Sequence, residues 1–352
     1  MRLVNLANVK PGDELAQNII SKEGKILLKY GICLTQVYID KLLKLGIDLV
    51  YIKDKNLEDI EGVDPKFMKL KTDIMKSFSS VFSNAQSSYI KINDTESVVK
   101  EMIDYLQENK NINSSYLTEL KTHDNYTYVH SLNTSVISLY FGVKKGFNKN
   151  MLLDLGIGTI LHDIGKTKVP LNILNKKGKL TDEEFDEMKK HPIYGYEIVK
   201  NLKGIDERAK KIVLEHHERI DGTGYPFGKT GDKISYYAKI ACISDVYDAL
   251  ISDRVYRKGF PPHEAYEIII MNSGRMLDEE LVKLFKKSFS MYPLGVEVVL
   301  NNGYKGFVVG NNEGFPDRPI VRIVKNDLNQ EITPLDINLL EILNISIKNI
   351  II

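Results

Sequence analysis

Five of the seven histidines in this chain of 352 residues fall in a series, His130, His162-Asp163, His191 and His216-His217, that Asp245 completes. Neutral imidazole nitrogens and carboxylate oxygens are what Fe, Mn, Zn or Ni accept, so the series describes a dinuclear metal site. Lys166 lies four residues beyond His162. On a helix that spacing returns it to the same face, where an ammonium can meet a phosphate oxygen beside the metals. Two divalent ions about 3.5 to 4 Å apart lower the pKa of a shared water and clamp a phosphoryl group for in-line displacement.

Taken singly, each residue has an ordinary explanation. The His162-Asp163 pair could cap a helix, His191 could sit favourably against a helix dipole, and His130 could be a half-buried helix histidine. Adjacent His216 and His217 project roughly 100 degrees apart on a helix. They can share one metal only near a helix end; otherwise one ligates and the other supports it. Asp245 interrupts the otherwise apolar stretch Ala238–Asp248, where a carboxylate needs a partner or a metal. Jointly the ordinary explanations are poor. His123 and His263 fit no ligand spacing and read as surface or capping residues.

The elements that must position these groups are mainly helical. From about 116 to 291 the apolar residues recur with helical period, punctuated by Gly and Pro. Thr181 to Glu184 form a capping box whose helix runs towards His191, and Pro192 marks the next junction. The run Asp221-Gly222-Thr223-Gly224-Tyr225-Pro226 after the paired histidines makes a stiff loop of specific shape. Residues 1–60 read as a small α+β module: a turn at Pro11-Gly12, strands at Lys25–Lys29 and Leu49–Ile52, and a helix capped by Thr35. Residues 61–115 read as a helical connector with one buried side and Thr95 as a cap candidate. Residues 292–352 read as a small β module, with hairpin-like strands around Val296–Leu300, Gly306–Val309 and Pro319–Val324.

Composition narrows the functional classes. Forty-eight basic residues against forty-seven acidic ones leave no field to attract DNA or RNA, so an anionic substrate needs a local pocket. Cys33 and Cys242 are isolated and form no disulfide framework, which suits a reducing cytosol. The first twenty residues meet Pro11, Gly12, Asp13 and Glu14 before any secretory h-region can form, and no segment has the length of a membrane span.

The motif His162-Asp163-Ile164-Gly165-Lys166 and the longer His216-His217-Glu218-Arg219-Ile220-Asp221-Gly222-Thr223-Gly224-Tyr225-Pro226 resemble those of the HD-GYP domain, a bacterial branch of the HD metal-dependent phosphohydrolases. Lys179–Glu184 leading to His191-Pro192, and Asp245–Arg257, match further and in order. The resemblance covers about residues 120 to 290. It implies a mainly α protein, an all-helical HD-type catalytic domain between the two small modules, and a phosphodiesterase acting on cyclic di-GMP through attack of a bridging hydroxide. Linear pGpG is the expected product, with slower conversion to GMP.

By the same resemblance His130, His162, Asp163 and Asp245 would hold one metal, and His191, His216 and His217 the second, with Asp163 bridging. Lys166, Arg254 and Arg257 would contact phosphates, and Tyr225 would shape the cleft. Some relatives hold a third metal through a glutamate one turn before the first histidine. Tyr126 stands there, so two metals are expected, Fe or Mn for preference, with Zn, Ni or Co able to occupy the site. Two other functions remain open: hydrolysis of 3',3'-cyclic GMP-AMP, and a non-catalytic module that senses a cyclic dinucleotide or docks a partner. A homodimer built on the connector, and a diguanylate cyclase or other signalling protein as partner, are also open.

Overall fold

The computed structural model describes residues 1–21, 25–60, 62–83, 92–118, 126–176, 178–252 and 259–351. At the N-terminus, β1 (Arg2–Asn5) pairs antiparallel with β4 (Leu49–Ile52), and β2 (Ile19–Ile20) with β3 (Ile26–Leu28). Between them runs α1 (Gln36–Lys44), whose N-cap Thr35 accepts a hydrogen bond from the Tyr38 backbone N–H. Val4, Leu15, Ile39 and Leu42 give this unit a small core of its own.

The helices follow in sequence: α2 (Pro65–Ser83), α3 (Asn93–Glu108), α4 (Tyr126–Lys145), α5 (Lys149–Ile160), α6 (Leu171–Leu174), α7 (Asp182–Met188), α8 (His191–Val199), α9 (Glu207–Glu215), α10 (Tyr236–Ile251), α11 (Pro262–Met271) and α12 (Glu279–Ser288). Phe67, Ile74 and Phe78 of α2 and Val99 and Met102 of α3 belong to the same apolar core as α4, α5, α9 and α10. The apolar side of the stretch read as a connector is therefore covered by the helices that follow it. Thr95 is buried inside the first turn of α3 and does not cap it; Asn93 and Asp94 already lie in the helix. Among the described residues no helix is long and apolar enough to cross a membrane.

The capping box on α7 forms in full, with Thr181 Oγ1 accepting from the Glu184 N–H and the Glu184 carboxylate accepting from the Thr181 N–H. That helix ends at Met188, and His191 opens α8 instead of closing α7. The cause is Pro192, which lacks an N–H and is tolerated only in a helix's first turn.

A five-stranded antiparallel sheet closes the chain in the order β8-β7-β6-β5-β9, built from β5 (Glu297–Leu300), β6 (Lys305–Asn312), β7 (Phe315–Lys325), β8 (Glu331–Asn338) and β9 (Ile347–Ile351). It docks on both other parts. The Leu3 N–H donates to Gly295 O at 3.0 Å, and the Arg322 guanidinium reaches Asp59 and the Asn56 carbonyl as well as Asp336.

One close approach sets the spacing at the centre of the helices. A Cβ on Gly165 would lie 1.9 Å from His191 O and 2.3 Å from Gly195 N, so the turn after α5 rests directly on the backbone of α8. Gly165→Ala is expected to lower unfolding stability by about 3 kcal/mol, the upper end for overpacking, because backbone and not a flexible side chain must yield. Gly62→Ala, with nothing within 4 Å of its Cβ, is the near-neutral control. Equal denaturation midpoints for the two variants would refute this packing.

Candidate metal centre

Five helices deliver the seven donors to one place. His130 comes from α4, His162 and Asp163 from the turn leaving α5, His191 from the first residue of α8, His216 and His217 from just past the end of α9, and Asp245 from α10. All are buried except His217, which is half-buried. Because α9 stops at Glu215 and His216 is its C-cap, both adjacent rings turn into the same group, with centroids 4.2 Å apart. Two ligand groups result, Asp163 with His191, His216 and His217, and His130 with His162 and Asp245, the donor atoms of each lying within 4.8 Å of one another.

The ring orientations are set from behind. His162 Nδ1 donates to Thr159 O at 2.7 Å, His191 Nδ1 to Met188 O at 2.9 Å and His216 Nδ1 to Val213 O at 3.0 Å. A carbonyl only accepts, so each Nδ1 carries the proton and each Nε2 presents a lone pair inward. His191 Nε2 and His216 Nε2 then face each other at 3.2 Å with no proton between them. Two lone pairs at that distance repel unless a cation lies within reach of both. His162 Nε2 and Asp163 Oδ1 are likewise buried without a hydrogen bond.

Asp163 stands between the two groups. Its Oδ2 lies 3.4 Å from His162 Nε2 and 3.7 Å from His130 Nε2, while Oδ1 lies 3.3 Å from His191 Nε2. Asp245 spans the other side, with Oδ1 3.0 Å from His130 Nε2 and Oδ2 3.5 Å from His217 Nδ1. One carboxylate oxygen faces each group, the arrangement a bridging ligand needs.

The titration behaviour is that of a cation site. Burial holds His191 and His216 well below the usual imidazole range and His217 at about 4, so all three are neutral donors at neutral pH. Burial alone would raise Asp163 and Asp245. Lys166 and His162 outweigh it for Asp163, and His130 and His217 for Asp245, so both stay ionised. Burial would also lower His162, but the neighbouring carboxylates reverse the sign and raise it. Negative field, neutral imidazoles and lone pairs without hydrogen bonds together fit divalent cations held by N and O donors.

A cavity of about 1,310 Å³ opens on this cluster. Lys166, Tyr225 and Cys242 line it beside His130, His217 and Asp245. Lys166 Nζ contacts Asp163 Oδ2 at 2.6 Å while its side chain stays partly exposed. The Tyr225 ring covers His217, with centroids 4.6 Å apart, and burial pushes its hydroxyl up. Burial raises the Cys242 thiol to about 12, so it supplies no thiolate. Arg254 and Arg257 lie outside the described residues. Tyr126 is the first residue of α4, one turn ahead of His130.

Two groups that sequence reasoning passed over also belong to the site. Asp248 accepts from His130 Nδ1 at 2.6 Å and from Asn133 Nδ2 at 2.8 Å, so it sets the His130 ring as the carbonyls set the others. Its signal was its place three residues after Asp245 in an apolar helix. Glu218, buried next to His217, accepts from the Phe227 and Lys229 N–H groups and ties down the Gly-Tyr-Pro loop. The Tyr225 N–H meets His217 O at 3.1 Å.

A helical domain presenting a buried His/Asp cluster to a cavity defines the class of metal-site helical proteins. Residues 102–281, half of the chain, match the HD domain family, and the chain belongs to it. It is 39% identical over 193 residues to the cyclic di-GMP phosphodiesterase PA4108 of Pseudomonas aeruginosa, covering 55% of this chain and 46% of that one. It is 32% identical over 207 residues to the cyclic di-GMP phosphodiesterase PdeB of Borreliella burgdorferi, covering 58% and 54%. The chain thus spans about half the length of the curated relatives it matches. The fold is shared with Bd1817, an HDG"Y"P protein from Bdellovibrio bacteriovorus, at a TM-score of 0.52 and 18% identity over 80% of this chain and 97% of that one.

Asp248→Asn is expected to weaken metal binding at the cluster about 10- to 100-fold, because the His130 ring loses the carboxylate that sets its tautomer. Metal content after dialysis against graded chelator would show metal lost earlier than from the wild type. Wild-type retention would discard this role for Asp248.

Proposed function

We propose that the chain is a metal-dependent phosphodiesterase that hydrolyses cyclic di-GMP to linear pGpG, with slower conversion to GMP. The observation that carries this reading is the pair of ligand groups sharing Asp163, with imidazole lone pairs facing each other inside a cavity. Divalent ions bound there would supply Lewis-acid polarisation of a phosphodiester and a nucleophile from water at neutral pH. His130, His162, Asp163 and Asp245 would hold one ion and His191, His216 and His217 the other, with Asp163 common to both. The absence of a thiolate among the donors favours Fe or Mn over structural zinc.

The chain's own residues do the rest. Lys166 would place its ammonium against the non-bridging oxygens, where charge grows as phosphorus is attacked. Its contact with Asp163 keeps it aimed at the cluster. Tyr225, lying over His217 and held by the loop that Glu218 anchors, would shape the cleft and exclude water from that side. The four Nδ1 protons stay on their rings, donated to carbonyl and carboxylate oxygens, so each ring keeps its metal-facing lone pair.

The deciding experiment combines anaerobic purification, elemental analysis and chromatography of products from cyclic di-GMP and 3',3'-cyclic GMP-AMP. Two ions per chain and pGpG as first product are expected, with turnover abolished by chelation. Faster release from the mixed dinucleotide would reassign the substrate. Intact cyclic di-GMP beside a fully loaded centre would leave a binding module instead. Lys166→Ala is expected to lower kcat about 100-fold at unchanged metal content, the scale for losing one preorganised electrostatic contact; a change confined to KM would refute its role.

A further inference from the structure

We propose that Arg219 binds the second phosphodiester of the cyclic dinucleotide, the one that is not being cleaved. This rests on the phosphodiesterase reading of the centre. Arg219 follows the ligand His217 by two residues and lines the same cavity as Lys166, Tyr225 and Asp245. Its side chain is exposed and forms no ion pair or hydrogen bond among the described residues, although its charge also acts on Asp221. Among the described cations that line the cavity, Lys166 is engaged with Asp163 and Lys176 with Glu184, which leaves Arg219 and Lys179.

The backbone that carries Arg219 is held in place although its guanidinium is not. The Gly222 N–H donates to Arg219 O at 2.9 Å, and a Cβ on Gly224 would lie 2.4 Å from Arg219 N. The chain passes so closely here that only glycine fits at 224. Arg219 is thereby fixed at its root beside the metal ligands, with its charge acting on Tyr225 and Cys242 in the cavity wall.

A cyclic dinucleotide brings two negative phosphodiesters into one cavity. The metal centre would neutralise the one it cleaves, and Arg219 would meet the other, beside any contact from Arg254 and Arg257, which lie outside the described residues. A net charge of +1 over the whole chain supplies no general field for it. A planar guanidinium with five N–H donors matches two phosphate oxygens at once.

The test compares Arg219→Ala and Arg219→Lys with wild type, all as metal-loaded full-length protein, on cyclic di-GMP and on bis(4-nitrophenyl) phosphate, which has a single phosphodiester. Arg219→Ala is expected to raise KM for the dinucleotide about 10- to 100-fold with kcat within about threefold. The loss of kcat/KM on the dinucleotide should exceed that on the small diester at least tenfold. Arg219→Lys should recover part of it, since a point charge still meets a phosphate but loses the two-oxygen contact. Equal losses on both compounds would overturn the proposal. So would a lysine variant as poor as alanine, which would indicate contact with a base edge or stacking. Calorimetric binding of cyclic di-GMP to the same variants separates this inference from the catalytic reading. Wild-type binding without hydrolysis, weakened by Arg219→Ala, would refute the catalysis and keep the phosphate contact.

Discussion

Imidazole lone pairs facing one another across a buried carboxylate are the constraint on which the rest of this structure depends. Histidine nitrogens at 3.2 Å with their protons committed elsewhere are mutually repulsive, and Asp163 is an ionised group deep inside a helical core. Both conditions are costly in an apolar interior unless positive charge resides there. Each ring is therefore held from outside the cluster, by Thr159, Met188 and Val213 carbonyls and by the Asp248 carboxylate. The three carbonyls belong to the last turns of α5, α7 and α9, which explains why His162, His191 and His216 sit just past helix ends, where carbonyls are unpaired, whereas His130 and Asp248 meet from helix interiors.

Packing serves the same end. Gly165 lets the turn that carries Asp163 touch α8, and a Cβ on Gly158 of α5 would lie 2.9 Å from the Ala209 carbonyl of α9. Without these approaches His162, His191 and His216 could not share a space a few ångströms wide. The loop from Asp221 to Pro226 is joined to the cluster through Glu218 and the His217 carbonyl, so its geometry and that of the ligands are set together.

The flanking units frame this centre. The N-terminal strand docks on Gly295, and Arg322 ties the C-terminal sheet to the segment around Asp59. Residues of the N-terminal unit, among them Asn5 and Gln17, reach the wall of the same cavity that the candidate ligands His130, His217 and Asp245 line. The N-terminal unit and the cluster thus face one cavity, which neither unit's own core would indicate.

The candidate donors, the helical class and the local stops were legible in the sequence alone. Thr35, the Thr181–Glu184 box and Pro192 act within a turn of themselves, so their effect is readable from neighbours alone. Strand β8 was not readable, because most of its residues are exposed at a sheet edge and carry no apolar alternation. Thr95 misled for a related reason: a side chain that looks like a cap is buried when the helix begins two residues earlier. Only the tertiary structure decided which oxygen of Asp163 faces which histidines, that Asp248 sets His130 from 118 residues away, and that Arg219 forms no ion pair or hydrogen bond among the described residues. Those facts depend on distances between segments remote in the chain, and periodicity carries no information about such distances.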